Sequence, residues 1–235
     1  MINAVLTIDD ISSKNTPAIV DYLKEKGIKA VLFGVGMSME TNYEEALYAL
    51  KAGMIIGNHS FSHPSFSTIS LEQGIAEIEK CERTLEKLYR DAGVERQYRP
   101  FRFPYGDKGG EKERDLQKYL KEKKFDKLVD THISYSWWKE NHCDTNIDTF
   151  WTYDFSEYCI RPNSEFTMKD VWEKMNDAEP SLGAALFGEN AQHILLLHAH
   201  DETEKMVPQY YRKILDYVTE KGVSFKEPRF FKYGN

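Results

Sequence analysis

Short, β-rich apolar runs alternate with segments of helical period along the whole chain, and this alternation restricts the fold more than any other feature. The runs occupy residues 4–8, 30–35, 54–56, 98–101, 127–130, 148–153, 193–197 and 223–225. A strand that returns beside its predecessor in the same direction needs a crossover long enough to hold a helix, so the pattern reads as successive parallel βα units. Between the runs, Thr16 reads as an N-cap with Pro17 at the first helical position and Gly27 as the stop. Ser70 and Gln73 form a capping box that opens a long helix with the apolar stripe Leu71, Ile75, Ile78, Leu85 and Leu88. About eight strands at this spacing favour a barrel over an open doubly wound sheet. Residues 1–235 are expected to form one domain. Residues 132–146 and 176–192 lack clean periodicity and are expected to be long loops near a functional site.

Several function classes fall away on composition. A formal charge of -7 argues against a general phosphate-binding surface, so no nucleic-acid partner is expected. No uncharged apolar run approaches the roughly 18 residues of a membrane span, so no membrane insertion is expected. Cys81, Cys143 and Cys159 are odd in number and far apart, which signals neither a disulfide framework nor a thiolate zinc cluster; each is expected to be a small buried hydrophobe. The first apolar run begins almost at once, leaving no room for a signal peptide, and this predicts a cytoplasmic chain unless the numbering describes a trimmed one. No glycine-rich nucleotide fingerprint follows the first strand.

The chemistry-bearing residues cluster where predicted strands end, the face on which a parallel barrel builds its site. Asp9 and Asp10 follow the first strand, and adjacent side chains at a strand end diverge, so one carboxylate can bind a metal while the other serves as a base. His59 and His63 follow the third run; four residues apart, they share a face if the segment makes one helical turn. Two histidines and a carboxylate, with positions left for water, suit zinc or another first-row divalent ion and bring the pKa of bound water towards neutrality. Arg102 ends the fourth run, followed by Phe103, Pro104, Tyr105 and Gly106, and a guanidinium there can hold a carboxylate base. His198 ends the apolar run 194–197, in position to protonate a leaving group, with His200 and Asp201 as close rivals for that role.

In this order the motifs resemble those of the polysaccharide deacetylases, carbohydrate esterase family four. Thr7-Ile8-Asp9-Asp10 is similar to the family's T-F-D-D, His59 to Pro64 to its H-[ST]-x-x-H-P, Arg102 to Tyr105 to its R-x-P-Y, and Leu196 to His198 to its L-x-H. Asp154-Phe155-Ser156-Glu157-Tyr158, preceded by Trp151, is an imperfect match to D-x-x-D-W. The resemblance implies a distorted or incomplete (β/α) barrel of seven to eight parallel strands. It implies Asp9 as general base, Asp10, His59 and His63 as metal ligands, and His198 as general acid. It implies that Arg102 orients Asp9, that the backbone N–H of Tyr105 helps stabilise the oxyanion, and that Leu196 and Tyr158 line the acetyl pocket or sugar groove. Asp154 or Glu157 would support the histidine or the arginine.

The expected activity is therefore removal of N- or O-acetyl groups from an acetylated sugar polymer or oligomer, chitin-, peptidoglycan- or xylan-like, with one divalent ion: zinc first, then cobalt, nickel or manganese. Two departures bear on the substrate: Ile11-Ser12 stands where the family usually has Gly-Pro, and Glu157-Tyr158 replaces Asp-Trp. Two other readings stay open. One is hydrolysis of a small cyclic amide or imide on the same barrel. The other is a glycan-binding module without catalysis, with Tyr135, Trp137, Trp138 and Trp151 as stacking surfaces.

Overall fold

In the computed structural model, residues 1–231 are described. The strands are β1 (Ile2–Ile11), β2 (Ala30–Gly34), β3 (Ile55–Asn58), β4 (Lys127–Leu128), β5 (Tyr153–Asp154), β6 (Gln192–His198), β7 (Val223–Phe225) and β8 (Phe230–Phe231). The helices are α1 (Thr16–Lys26), α2 (Gly36–Thr41), α3 (Tyr43–Lys51), α4 (Leu71–Ala92), α5 (Glu113–Glu122), α6 (Ser136–Glu140), α7 (Met168–Met175), α8 (Asp201–Met206) and α9 (Tyr210–Glu220).

The main sheet has six strands in the order β3-β2-β1-β6-β5, with β7 added to β1, and every pairing in it is parallel. β1 is the centre. Leu6, Ile8 and Ile11 are at most 1% exposed, as are Leu195 and Leu197 of β6, and these side chains enter one core with the helices packed around them. Burial on both faces explains why these strands read as unbroken apolar runs.

The ring closes through a single bridge. Residue Phe101 pairs with Asn58 at the end of β3, Asn58 N–H donates to Pro100 O (2.9 Å), and Thr149 N–H donates to Phe101 O (2.8 Å), which carries the ring on towards β5. The expected strand at 98–101 is thus reduced to one bridge, because Pro100 has no N–H to give to a ladder. With that bridge the barrel is distorted, as expected. Residues 127–130 depart further: β4 pairs antiparallel with β8, outside the barrel. The third run ends at Asn58, two residues beyond its expected limit, and the sixth shrinks to Tyr153–Asp154.

Helix signals were mostly local and therefore reliable. Ser70 Oγ accepts from Gln73 N–H while Gln73 Oε1 accepts from Ser70 N–H, and α4 begins there. Gly27 ends α1 in the left-handed region at φ 66°. Thr16, in contrast, is already helical and Asn15 holds the N-cap position; Thr16 Oγ1 accepts instead from Ser13 N–H (2.9 Å). Within the expected loop 132–146, α6 forms where Trp138 is buried and its Nε1–H donates to Asp130 (3.0 Å). Residues 176–191 carry neither helix nor strand. Cys81 and Cys143 are buried as expected, but Cys159 is only partly so. No helix among the described residues is long and apolar enough to cross a membrane.

Gly57 lies where β3 meets the closing segment, and a Cβ there would sit 2.7 Å from Pro100 O and 2.8 Å from its Cγ. Gly57→Ala is expected to lower unfolding stability by about 1–3 kcal/mol through forced displacement of the bridge, measured by urea denaturation; a neutral change would mean that the bridge yields freely.

Candidate active site

Asp9 and Asp10 leave β1 in different directions. Asp9, 3% exposed, lies opposite His198 in the β1–β6 register. Asp10, still within β1, takes φ 63° where the β1–β2 register breaks between Ile8 and Ile11, and its carboxylate meets His63 and His200. Asp9 Oδ1 accepts from Arg102 Nη1 at 2.7 Å, and Oδ2 lies 3.4 Å from His59 Nε2. Arg102 is 1% exposed. Its Nη1 also donates to Thr7 Oγ1 (2.8 Å) and its Nε to Thr149 O (2.9 Å), and the guanidinium stacks over Phe33 at 4.5 Å. The arginine expected to orient Asp9 does contact it, and it is fixed on several sides.

The two histidines meet by a different route from the helical turn that spacing suggested. Residues 59–65 are not helical, and Ser60 and His63 both have left-handed backbone, φ 63° and 59°. Side chains hold this turn. Asn58 Oδ1 accepts from Ser60 N–H, Ser60 Oγ accepts from His63 N–H, and Glu77 accepts from the N–H groups of Phe61 and Ser62. The rings end 4.9 Å apart.

One ligand atom from each of Asp10, His59 and His63 lies within 4.8 Å of the others. His59 Nδ1–H donates to Arg102 O (2.8 Å), so its Nε2 lone pair faces Asp10 Oδ1, 3.7 Å away. His63 Nε2 is 3.3 Å from the same oxygen. Burial, and then the neighbouring charge of His59, push His63 down to about 4, so it stays a neutral ligand near pH 7. Burial pushes the Asp10 carboxyl up, but the hydrogen bond from His200 and the nearby imidazoles outweigh it and hold the group well below the usual carboxylate range. Two imidazole nitrogens with one carboxylate oxygen are a donor set that fits a first-row divalent ion.

Across the cleft, Glu157 is wholly buried and Oε1 accepts from both His198 N–H (2.5 Å) and its Nδ1–H (3.2 Å). Burial works against the imidazolium, yet the hydrogen bond and charge of Glu157, aided by Asp154, raise His198 to about 10. Asp154, Glu157 and His198 also bring ligand atoms within 4.8 Å of one another, but Glu157 Oε1 is already committed to the histidine. Asp154 Oδ1 accepts from Ser156 N–H, and burial raises its carboxyl. Of the two acids expected to support the histidine or the arginine, Glu157 touches the histidine and Arg102 takes Asp9.

Leu196, 1% exposed, lines the floor of an open cleft of about 810 Å³ that also meets Asp9, Asp10, His59, His63, Tyr105, Trp151, Tyr158 and His198. The Tyr158 ring is 4.4 Å from His198, and the exposed Tyr105, at φ 59°, stacks edge-on to His63 at 4.5 Å. A second cavity of about 760 Å³ shares Trp151, Asp154 and Tyr158 with the first, and both long loops line it, through Trp137, Asn141 and Leu182 among others. Sequence reasoning missed the contact of His200 with Asp10 and the clamp of Tyr210, whose hydroxyl donates to His198 O. Only the position of His200, two residues after a strand-end histidine, hinted at the first.

A family profile described as polysaccharide deacetylase matches residues 3–125, and the chain belongs to that family. It is similar to chitin deacetylase 1 of Cryptococcus neoformans, 35% identical over 102 residues, which are 43% of this chain and 21% of that protein. The peptidoglycan-N-acetylglucosamine deacetylase of Bacillus cereus is 33% identical over 103 residues, 43% of this chain and 36% of that protein. The matches therefore span only about a fifth to a third of those curated relatives. Among solved structures, a CE4 family pseudoenzyme from Bacillus anthracis superposes with a TM-score of 0.57 at 20% identity, covering 94% of this chain and 63% of that one.

The His198–Glu157 pair couples folding to pH. An imidazole raised from 6.5 to about 10 by folding contributes its full stabilisation below about pH 6.5 and loses it as pH climbs to about 10. Urea denaturation of the metal-free protein is expected to show a stability gap between wild type and Glu157→Gln that narrows steadily over that window; a constant gap would contradict the pairing.

Proposed function

We propose that the protein is a metal-dependent deacetylase that hydrolyses N- or O-acetyl groups on a sugar polymer or oligomer, with zinc as the ion. The observation that carries this reading is the placement of a carboxylate and an imidazolium, Asp9 and His198, opposite each other on β1 and β6 beside the Asp10, His59 and His63 group. When bound by these three residues, a divalent ion polarises the acetyl carbonyl and lowers the pKa of water. Arg102 occupies Asp9 Oδ1, which leaves Oδ2 as the oxygen that takes the proton from the attacking water. The backbone N–H of Tyr105 donates to the developing oxyanion. His198, kept protonated by Glu157, gives its proton to the departing amine or alcohol. Leu196 offers an apolar contact for the acetyl methyl, and Tyr158 and Trp151 offer faces for a sugar ring. Asp154 is a supporting charge beside His198.

An elongated substrate is supported by the adjacency of the two cavities, which share Trp151, Asp154 and Tyr158 in their walls and together offer more space than a small cyclic imide requires. The fold alone does not decide between enzyme and binding module, since a pseudoenzyme shares it. Catalysis is supported by the side chains, because each chemical task has a residue of suitable type in the cleft.

Acetate release across a panel of acetylated chitin, peptidoglycan and xylan oligomers, with metal content measured on the same sample, tests the reading. Glycan binding without acetate release when zinc or cobalt is supplied would favour the module, and ring opening of a cyclic imide would favour the other enzyme. Asp9→Asn is expected to retain the metal and lose about 10²–10⁴-fold in kcat, followed by acetate assay; full activity would remove Asp9 as the base.

A further inference from the structure

His200 faces the cleft, and the proposed reaction gives it no task. It is the residue before α8, yet its side chain makes no capping bond to that helix. Its Nε2 lies 2.8 Å from Asp10 Oδ2. An ionised carboxylate has no proton to give, so the imidazole nitrogen is the donor. The two oxygens of Asp10 are thereby divided: Oδ2 is held by His200, while Oδ1 is turned towards Nε2 of His63 and His59.

Both sides of this contact are anchored by the same short stretch after β6. Tyr210 Oη donates to His198 O and accepts from His200 N–H (3.3 Å), which sets the turn that aims His200. Asp201 then accepts from Lys14 N–H (3.1 Å) and Asn15 N–H (2.9 Å), pinning the loop that follows Asp10. A proton-donor role for His200 is disfavoured by this geometry, because its Nε2–H is already engaged and His198 carries the buried carboxylate partner.

We propose that His200 is a positioning residue for the metal centre, restricting Asp10 to a one-oxygen ligand. A carboxylate free to rotate grips a divalent ion with both oxygens, raises its coordination number and fills the positions that the reactants need. Outer partners of metal ligands set both orientation and affinity. The inference rests on the reading of Asp10, His59 and His63 as the ligands.

The test compares His200→Leu, which cannot donate, with His200→Gln, whose amide can, using Co²⁺ as the probe. Affinity is read by competition with a chromophoric chelator and coordination number by the visible spectrum of the Co²⁺ complex. His200→Leu is expected to bind Co²⁺ roughly 10–100-fold more weakly, with a less intense visible band, and His200→Gln to stay close to wild type in both. Wild-type affinity and spectrum in His200→Leu would overturn the inference, and so would a fall in thermal midpoint of the metal-free variants with the Co²⁺ spectrum unchanged. If His200→Leu does not fold, His200→Asn, whose amide falls short of Oδ2, takes its place. Failure of the wild-type chain itself to bind Co²⁺ would overturn the ligand assignment and this inference with it, so the two failures are distinguishable.

Discussion

The buried ion pair of Arg102 and Asp9 holds together both the barrel and its site. Arg102 follows the single bridge that closes the ring, and its guanidinium reaches back to β1 at Thr7 and Asp9 and across to Thr149 on the way to β5. One side chain therefore spans the gap that a full strand ladder would otherwise close. Desolvating a guanidinium and a carboxylate is costly unless every remaining donor is met, and here backbone carbonyls and the Phe33 face meet them. Removing either partner would leave an uncompensated charge at the weakest seam of the barrel. The Arg102 carbonyl also fixes the tautomer of His59, so the same residue orients the proposed base and a proposed metal ligand.

The departures from the family motifs are accommodated by local ties. Where Gly-Pro is usual, Ile11 enters the core and Ser12 Oγ donates to Asn42 O (2.7 Å), while Asn42 Nδ2 returns a bond to Ser12 O (2.8 Å). Asp201 secures the backbone N–H groups of Lys14 and Asn15 further along the loop. The longer Glu157 still reaches His198 because a short 3-10 turn after Ser156, at φ 58°, carries it inward. Tyr158 then presents a smaller aromatic face than Trp on the groove wall.

Much of the centre was legible in the sequence. Asp9, Asp10, Arg102 and His198 each stand at the end of an apolar run and His59 and His63 follow one, and in a parallel barrel strand ends converge on one face. The capping box of α4 and the glycine stop of α1 were legible as well, since both depend on residues within one turn of each other. Less legible were residues 98–101 and 127–130, which carry strand composition but not strand partners: Pro100 lacks a donor, and Lys127 finds β8 rather than the main sheet.

The sequence by itself determined the alternation of buried strands and helices, the residue types at the strand ends, and hence the family of chemistry they permit, because periodicity and strand termini are local properties of the chain. Tertiary structure alone decided how the histidines converge, that Glu157 rather than Asp154 touches His198, that His200 holds the second oxygen of Asp10, and that Trp151 lines two neighbouring cavities. Each of these depends on left-handed turns held by distant side chains, or on contacts such as Asp10 to His200 across 190 residues of sequence, which no local pattern encodes.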